Sequence, residues 1–435
     1  MENQKKKENL LSTWKEIAAY LDCTDRTCRR WEAKCGLPVH RVDKSPKAMV
    51  FALKNELDDW LIQQRNSLKS DLRIVIKKRI LLSLLIAVPL LTIAILLITS
   101  RLASMTPADF DIKGSTFTFM NEKGKPLWEY DTEIENLSAT QIYRHHFQQV
   151  KIVADSKIYP HLIIKDLNHD GRKEVLLSIQ TVNELNEGKL ICFNWKGRVL
   201  WTIQTGRVLE YGGKTYSPDY RISYMNVADI DHDGDMEVLL VSAQRYFFPT
   251  QFLVLDHNGK IIGEYWNTGR ISDFSVVDID EDGINEIILG GCNNAYNKAC
   301  IIVFDHKNID GFSPQTADYS SSSFQTGTEN FYILFPNTDV CLTEAPRGSI
   351  NRMDILSNEK LLIREAHTLL YFVVDFHMKV EKILLSDTFR RKHKKAKEAG
   401  LISSDFDDAS LEALVRQVLY WNGSDWVSTP TKVQR

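Results

Sequence analysis

The apolar positions along this chain keep three different rhythms. Between Ser12 and Leu61 they recur at helical spacing: Trp14, Ile17, Ala18 and Leu21 share one face, and Thr27, Cys28 and Trp31 form a second inward stripe. Ser12 and Thr24 are placed to cap these two predicted helices, while Gly36 ends the second and Pro38 cannot continue it. "LPVHRVDKSPKAMVFAL" reads as two short strands about a basic tip, and "KNELDDWLIQQ" as a further amphipathic helix. From Ile80 to Ser100 the run "ILLSLLIAVPLLTIAILLITS" holds no charged residue. Beyond it, short apolar runs alternate with Gly-, Asn- and Asp-containing turns, the pattern of strands.

The middle rhythm predicts a membrane span. About 20 residues at about 1.5 Å each match a hydrocarbon core of about 30 Å, and a helix satisfies its own backbone there. Arg73, Lys77, Lys78 and Arg79 crowd its N-terminal edge, and only Arg101 lies just past the other. The positive-inside rule then puts the N-terminus in the cytoplasm and residues after about 101 outside. The expected location is a bacterial cytoplasmic (inner) membrane, crossed once. Charge divides the chain at the same place. Up to Arg79 there are 18 Lys and Arg against 11 Asp and Glu, a net of +7 inside an overall −3. A basic front and an acidic back suit different partners.

The order of elements in "WKEIAAYLDCTDRTCRRWE" and "LPVHR…VFALKNELDDWL" resembles the winged helix-turn-helix of the MerR and excisionase type. That resemblance implies DNA binding, with Thr24, Asp25, Arg26, Thr27, Arg29 and Arg30 at the major groove and His40, Arg41, Lys44 and Lys47 near the phosphates. General chemistry agrees: arginine pairs bidentately with guanine, and lysine neutralises phosphate. Cys23 departs from the small aliphatic residue usual in such turns. The competing reading is a solvated basic face that binds protein.

Three phrases recur downstream: "DLNHDGRKE", "DIDHDGDME" and "DIDEDGINE". Oxygen-bearing side chains stand at positions one, three, five and nine: Asp166, Asn168, Asp170 and Glu174; Asp229, Asp231, Asp233 and Glu237; Asp278, Asp280, Asp282 and Glu286. Glycine at position six permits a sharp turn. Position seven (Arg172, Asp235 or Ile284) would offer its backbone carbonyl. Ca²⁺ takes six to eight oxygens, so the spacing suits it, whereas an EF-hand is excluded because Leu177, Leu240 and Leu289 stand where its bidentate Glu belongs. Strand, calcium loop, strand resembles the FG-GAP and VCBS repeats of integrin-alpha-like propellers, although the Phe-Gly opening is absent. The first loop, with Asn168 in place of an acid, should bind most weakly. The alternative is an Asx-rich turn without metal.

A second phrase, "FMNEKGKPLW", "CFNWKGRVLW" and "VLDHNGKIIGEYW", reads strand, glycine turn, strand ending in Trp. These repeats fade after about residue 310. "TLLYFVVDFHMKVEKILLSD" reads as a strand pair, "FRRKHKKAKEAG" as a basic helical run and "LYWNGSDWV" as a hairpin. Cys292 and Cys300 flank a polar loop and could be bridged if exported. No GxSxG, HExxH, P-loop or dinucleotide fingerprint is present, so an enzyme is not expected.

The expected fold class is therefore multidomain. It comprises a small α-rich winged helix-turn-helix (1–62), a juxtamembrane helix or linker (63–79), one transmembrane helix (80–100), all-β propeller-like repeats (101–345) and C-terminal strands with a basic helix (346–435). The expected function is a membrane-anchored, DNA-binding transcriptional regulator, possible as a homodimer, with an external calcium-binding propeller that meets an unknown protein or glycan. The alternative is a surface adhesion or interaction protein whose inner module binds protein.

Overall fold

The structure, a computed structural model, describes residues 9–42, 49–65, 85, 87–93, 95 and 105–433, the last range apart from 135–136, 138–139, 146–149, 154–155, 182–187, 246–247 and 357–358. The chain divides into two compact units, Met1–Thr99 and Ser100–Arg435.

In the first unit Thr13, not Ser12, caps the helix Trp14–Tyr20: its hydroxyl accepts the Glu16 N–H, and Glu16 in return accepts the Ser12 N–H at 2.7 Å. This reciprocal box satisfies two backbone donors that the helix itself leaves open. Thr24 caps the helix Asp25–Cys35, which ends at Gly36 in the left-handed region (φ 66°). Residues 54–65 are also helical. Strands Leu10–Leu11, His40–Arg41 and Val50–Leu53 form a sheet in which the third strand lies centrally. The core joins helix to sheet: Ile17, Ala18, Cys28 and Leu57 pack with Leu11 and Ala52.

Two expectations about architecture are corrected here. The chain is predominantly β, and its front unit is a mixed α/β core built around a sheet, not a helical module carrying a small wing. The membrane span is not supported either. Among the described residues no helix is long and apolar enough to cross a membrane, and most of Ile80–Ser100 lies outside them. With the span goes the expected inner-membrane location and its division of the chain into inner and outer parts.

The second unit is a β-propeller-like domain. Five antiparallel sheets follow one another in chain order: three strands within Asp109–Asp131, then four each within Leu162–Gln204, Tyr220–Asn267, Ile271–Phe335 and Ile350–Leu385. Repetition of small sheets in this way leaves only short edges. The strands are apolar on both faces because each sheet is covered on both sides. In Glu237–Gln244, Val238 and Leu240 pack towards the second sheet, whereas Leu239 and Val241 pack towards the fourth. That is the two-residue period of a strand serving two cores. Four such apolar cores join first to second, second to third, third to fourth and fourth to fifth sheet.

The second sequence phrase has a packing role. Trp128 and Trp201, each ending a phrase, lie over Gly197 and Gly259 in the turn of the following sheet. Each indole N–H donates to that turn, to the Trp195 carbonyl and the His257 carbonyl, both at 3.1 Å. A Cβ on either glycine would stand 2.5 Å from the indole, and both have φ near +82°, so the position requires glycine twice over.

The tail returns to the fourth sheet. The hairpin Leu419–Trp421 and Trp426–Val427 adds to Phe331–Phe335, making that sheet six-stranded, and the basic run forms the helix Asp387–Glu398. Cys292 and Cys300 are free and buried. Register explains why they do not meet: Cys292 pairs with Ala299 and Gly291 with Cys300, so the two sulfurs leave opposite faces of the sheet.

Candidate metal centre

The three acidic phrases occupy equivalent places. Each links the first strand of a sheet to its second: Leu162–Lys165 to Glu174–Ser178, Tyr220–Ala228 to Glu237–Gln244, and Ile271–Val277 to Glu286–Asn293. Each turns sharply through two left-handed residues, His169 and Gly171, His232 and Gly234, Glu281 and Gly283. A glycine is needed at the second of these, where φ reaches 81–100°.

The side chains first hold the loop. The position-nine carboxylate turns back so that its Oε2 accepts the backbone N–H of position two: Glu174 from Leu167 at 3.1 Å, Glu237 from Ile230 and Glu286 from Ile279, both at 2.9 Å. Oδ1 of Asp170, Asp233 and Asp282 accepts the N–H of position seven (Arg172, Asp235, Ile284) at 2.8 Å in every copy. Asn168 and Asp231 each accept the N–H two residues on. Asp166 and Asp278 each accept a glycine N–H through Oδ2. One oxygen of most acids is thus committed to the backbone, and the other is left to converge.

What remains is uncompensated. Oδ1 of Asp166, of Asp229 and of Asp278 is buried without a hydrogen-bond partner, the same atom in all three loops. A buried carboxylate oxygen without a donor is costly. Burial also pushes Glu174, Glu237 and Glu286 up to about 7, with the neighbouring aspartates adding to the effect. Ligand atoms of Asp229, Asp231 and Glu237 lie within 4.8 Å of one another, as do those of Asp278, Asp280 and Asp282. The first loop, where Asn168 replaces an acid, yields no such group among the described residues. The Arg172 side chain is turned onto the Trp195 ring at 5.1 Å.

The loops are also tied together, which the sequence did not reveal. The Met236 N–H donates to the Leu167 carbonyl at 2.8 Å, and the Asn285 N–H to the Ile230 carbonyl at 3.0 Å. Position eight of each later loop is bonded to position two of the loop before it. The signal was present only as the constant spacing of these positions within each phrase.

The residues expected to contact DNA behave differently. The Thr24 hydroxyl is engaged in capping and lies 2.9 Å from that of Thr27. Arg29 lies over the Trp14 ring at 4.6 Å, and Arg41 forms a two-pronged bond to Glu32. His40 lies 2.6 Å from Glu56 and stacks on Phe51. Asp25, Arg26 and Arg30 are exposed, and Lys44 and Lys47 lie outside the described residues. Several of the charges expected to face phosphate are therefore spent within their own unit.

No family model matches the chain, and no curated protein matches it. Among solved structures it is similar to BamB from Moraxella catarrhalis (12% identity, 60% of this chain and 65% of that one, TM-score 0.24). It is also similar to the Dos1 propeller (10% identity, 64% and 84%, TM-score 0.22) and to a putative exo-beta-1,3-galactanase from Bifidobacterium bifidum s17 (9% identity, 64% and 84%, TM-score 0.27). The chain thus spans slightly less than two thirds of BamB. At such scores the propeller-like architecture rests on this chain's own sheets. Among the described residues no helix is long and apolar enough to cross a membrane, and several charges of the front unit are engaged within it, so the expected membrane-anchored regulator, with its DNA, membrane and external partners, is not supported. The adhesion alternative, which also needed a surface anchor, is left without support.

Proposed function

We propose that Ser100–Arg435 is a calcium-stabilised, propeller-like binding module without catalytic activity. The observation that carries this reading is the buried, unpartnered Oδ1 at position one of all three loops. A hard dication would satisfy that oxygen and gather the free oxygens of positions three, five and nine, with the carbonyl of position seven completing the set. Asp166, Asn168, Asp170, Arg172 and Glu174 would hold the first ion. Asp229, Asp231, Asp233, Asp235 and Glu237 would hold the second, and Asp278, Asp280, Asp282, Ile284 and Glu286 the third. The ion's role is to fix the turn between the first two strands of each sheet, and through the loop-to-loop bonds to hold three sheets in line.

Calorimetric titration of the metal-stripped full chain with Ca²⁺ tests this. Binding that approaches three equivalents, and is lost in Asp229→Ala and Asp278→Ala one equivalent at a time, is the expected result. No heat, or undiminished binding in both variants, overturns it.

A further inference from the structure

The turn between the first two helices of the front unit carries two cysteines whose sulfurs nearly touch. Cys23 precedes Thr24, the cap of the helix Asp25–Cys35, and Cys28 stands at that helix's fourth position. Their Sγ atoms lie 3.2 Å apart, and both thiols are free. In many helices an apolar pair at these two positions packs together and fixes the angle at which the chain enters the helix. Here both members of that staple are cysteine, whose side chains can turn the contact into a bond.

The backbone of the turn is held independently of the sulfurs. The Cys23 N–H donates to the Ala18 carbonyl at 2.9 Å, and the Cys28 N–H to the Thr24 carbonyl at 3.0 Å. Closing from 3.2 Å to a disulfide of about 2.05 Å therefore asks the sulfurs to move by roughly 1 Å, within a frame already in place. The two thiols differ in access. Cys28 is wholly buried in the core that holds Ile17, Ala18 and Leu57, and burial, with Cys23 beside it, pushes its thiol up to about 12. Cys23 is half-buried and open to a small reagent. Cys35 is exposed, but it ends the same helix, about 10 Å along the axis from Cys28, so the helix holds it away from the pair.

We propose that Cys23 and Cys28 form a site of reversible oxidation, closed to a disulfide by exchange with a small disulfide such as oxidised glutathione. Cys23, as its thiolate, attacks one sulfur of the reagent; a mixed disulfide forms, and the small thiolate released takes up the proton that Cys23 gave up. The Cys28 sulfur then displaces the second small thiol, and its proton leaves with it. Two protein thiols and one small disulfide become one protein disulfide and two small thiols, the protein sulfurs oxidised and the reagent sulfurs reduced. The bond clamps the turn to the helix it opens, beside the exposed Arg26 and Arg30. It does not depend on calcium or on the propeller-like domain.

The test is mass spectrometry of the full chain. The native protein is incubated with excess oxidised glutathione, its remaining thiols are blocked, and it is unfolded and cut with trypsin. The bond should appear as the peptide Glu16–Arg26 joined to Thr27–Arg29, and should vanish after treatment with dithiothreitol. Cys35→Ser should form the same bond, and Cys23→Ser should not. In the oxidised protein, amide hydrogen exchange over residues 21–28 should slow about tenfold relative to the reduced protein, because the cross-link opposes opening of the turn, and Cys23→Ser should show no such change with oxidant. Glutathione carried on Cys23 without the bond, linkage that forms only after unfolding, a bond to Cys35 in place of Cys28, or exchange unaltered by oxidation overturns the proposal.

Discussion

The strand Ile271–Val277 begins beside Arg270 and ends at Asp278, so two opposite chemistries sit at the ends of one strand. Seven residues at about 3.3 Å each separate them by roughly 23 Å. The acidic end is crowded with like charge and has buried oxygens that no donor reaches. The cationic end is spread around a cavity, with one of its charges already balanced by Asp273. The difference teaches that like charges crowded onto one turn burden stability, whereas cations spread around a cavity do not. Like charges held within 4.8 Å weaken the fold unless an ion joins them. Cations around an open cavity can be left to solvent.

The sharpest break of this comparison is metal removal. An ion that binds only the folded form contributes about 2.7 kcal/mol per site at a hundredfold excess over its dissociation constant. With three sites, chelation should lower the unfolding midpoint of Ser100–Arg435 by many degrees, and added Ca²⁺ should restore it. Differential scanning calorimetry with and without chelator reads this directly. An unchanged midpoint would mean that the acidic end is stable as it stands.

Next in size, Asp278→Ala should delete one site and about a third of that calcium-dependent gain, while sparing the cavity at the strand's other end. The orphaned Oδ1 disappears with the side chain, so the variant should be less damaged than wild type by chelation. A midpoint difference between chelated variant and chelated wild type that exceeds the difference in calcium would contradict this.

The distinction between the two ends was unevenly legible in the sequence. The acidic loops were readable because a candidate metal site confined to nine consecutive residues leaves its spacing in the chain, as Asp229 to Glu237 does. The cavity was not, because Lys157, Arg270 and Arg347 come from three separate segments and only folding gathers them. The sheets were readable while turns repeated; in the fifth, the strand pair within Leu370–Leu385 was read, but Ile350–Leu356 and Lys360–Glu365 were not, because the turn between them carries no acidic phrase. Periodicity at the front gave helices and caps nearly in place, but did not reveal that Glu32 and Glu56 would take up Arg41 and His40. The apolar run 80–100 met every compositional rule for a span without a corresponding helix among the described residues.

A smaller effect, of up to about tenfold in affinity per pH unit for each proton displaced, should appear with pH. Burial raises Glu174, Glu237 and Glu286 from 4.5 to about 7, so the folded metal-free protein holds protons that the unfolded chain has released. Its stability therefore falls as pH rises from about 4.5 to about 7. Calcium needs the deprotonated carboxylates and competes with those protons. The stabilisation by calcium should accordingly grow between about pH 5.5 and about pH 8. Melting at several pH values, with and without Ca²⁺, checks the sign; a calcium effect that shrinks as pH rises would refute it.

The finest test uses the one loop that lacks an acid. Asn168 accepts the Asp170 N–H exactly where Asp231 accepts that of Asp233, at 3.2 and 3.3 Å, so the two loops share their backbone and differ in one charge. Asn168→Asp should therefore need no rearrangement and should raise the affinity of the first site about tenfold, the effect of about 1.4 kcal/mol from one added ligand charge. It should also make the metal-free protein slightly less stable, because a further carboxylate then faces Asp166, Asp170 and Glu174. The opposite signs are the discriminating feature. A surface turn without metal would gain nothing from calcium, and a loop already satisfied by its own hydrogen bonds would lose little from the extra charge. Titration calorimetry for the first sign and metal-free melting for the second separate these cases, and a variant that moves both in the same direction would show that the loop was never shaped around an ion.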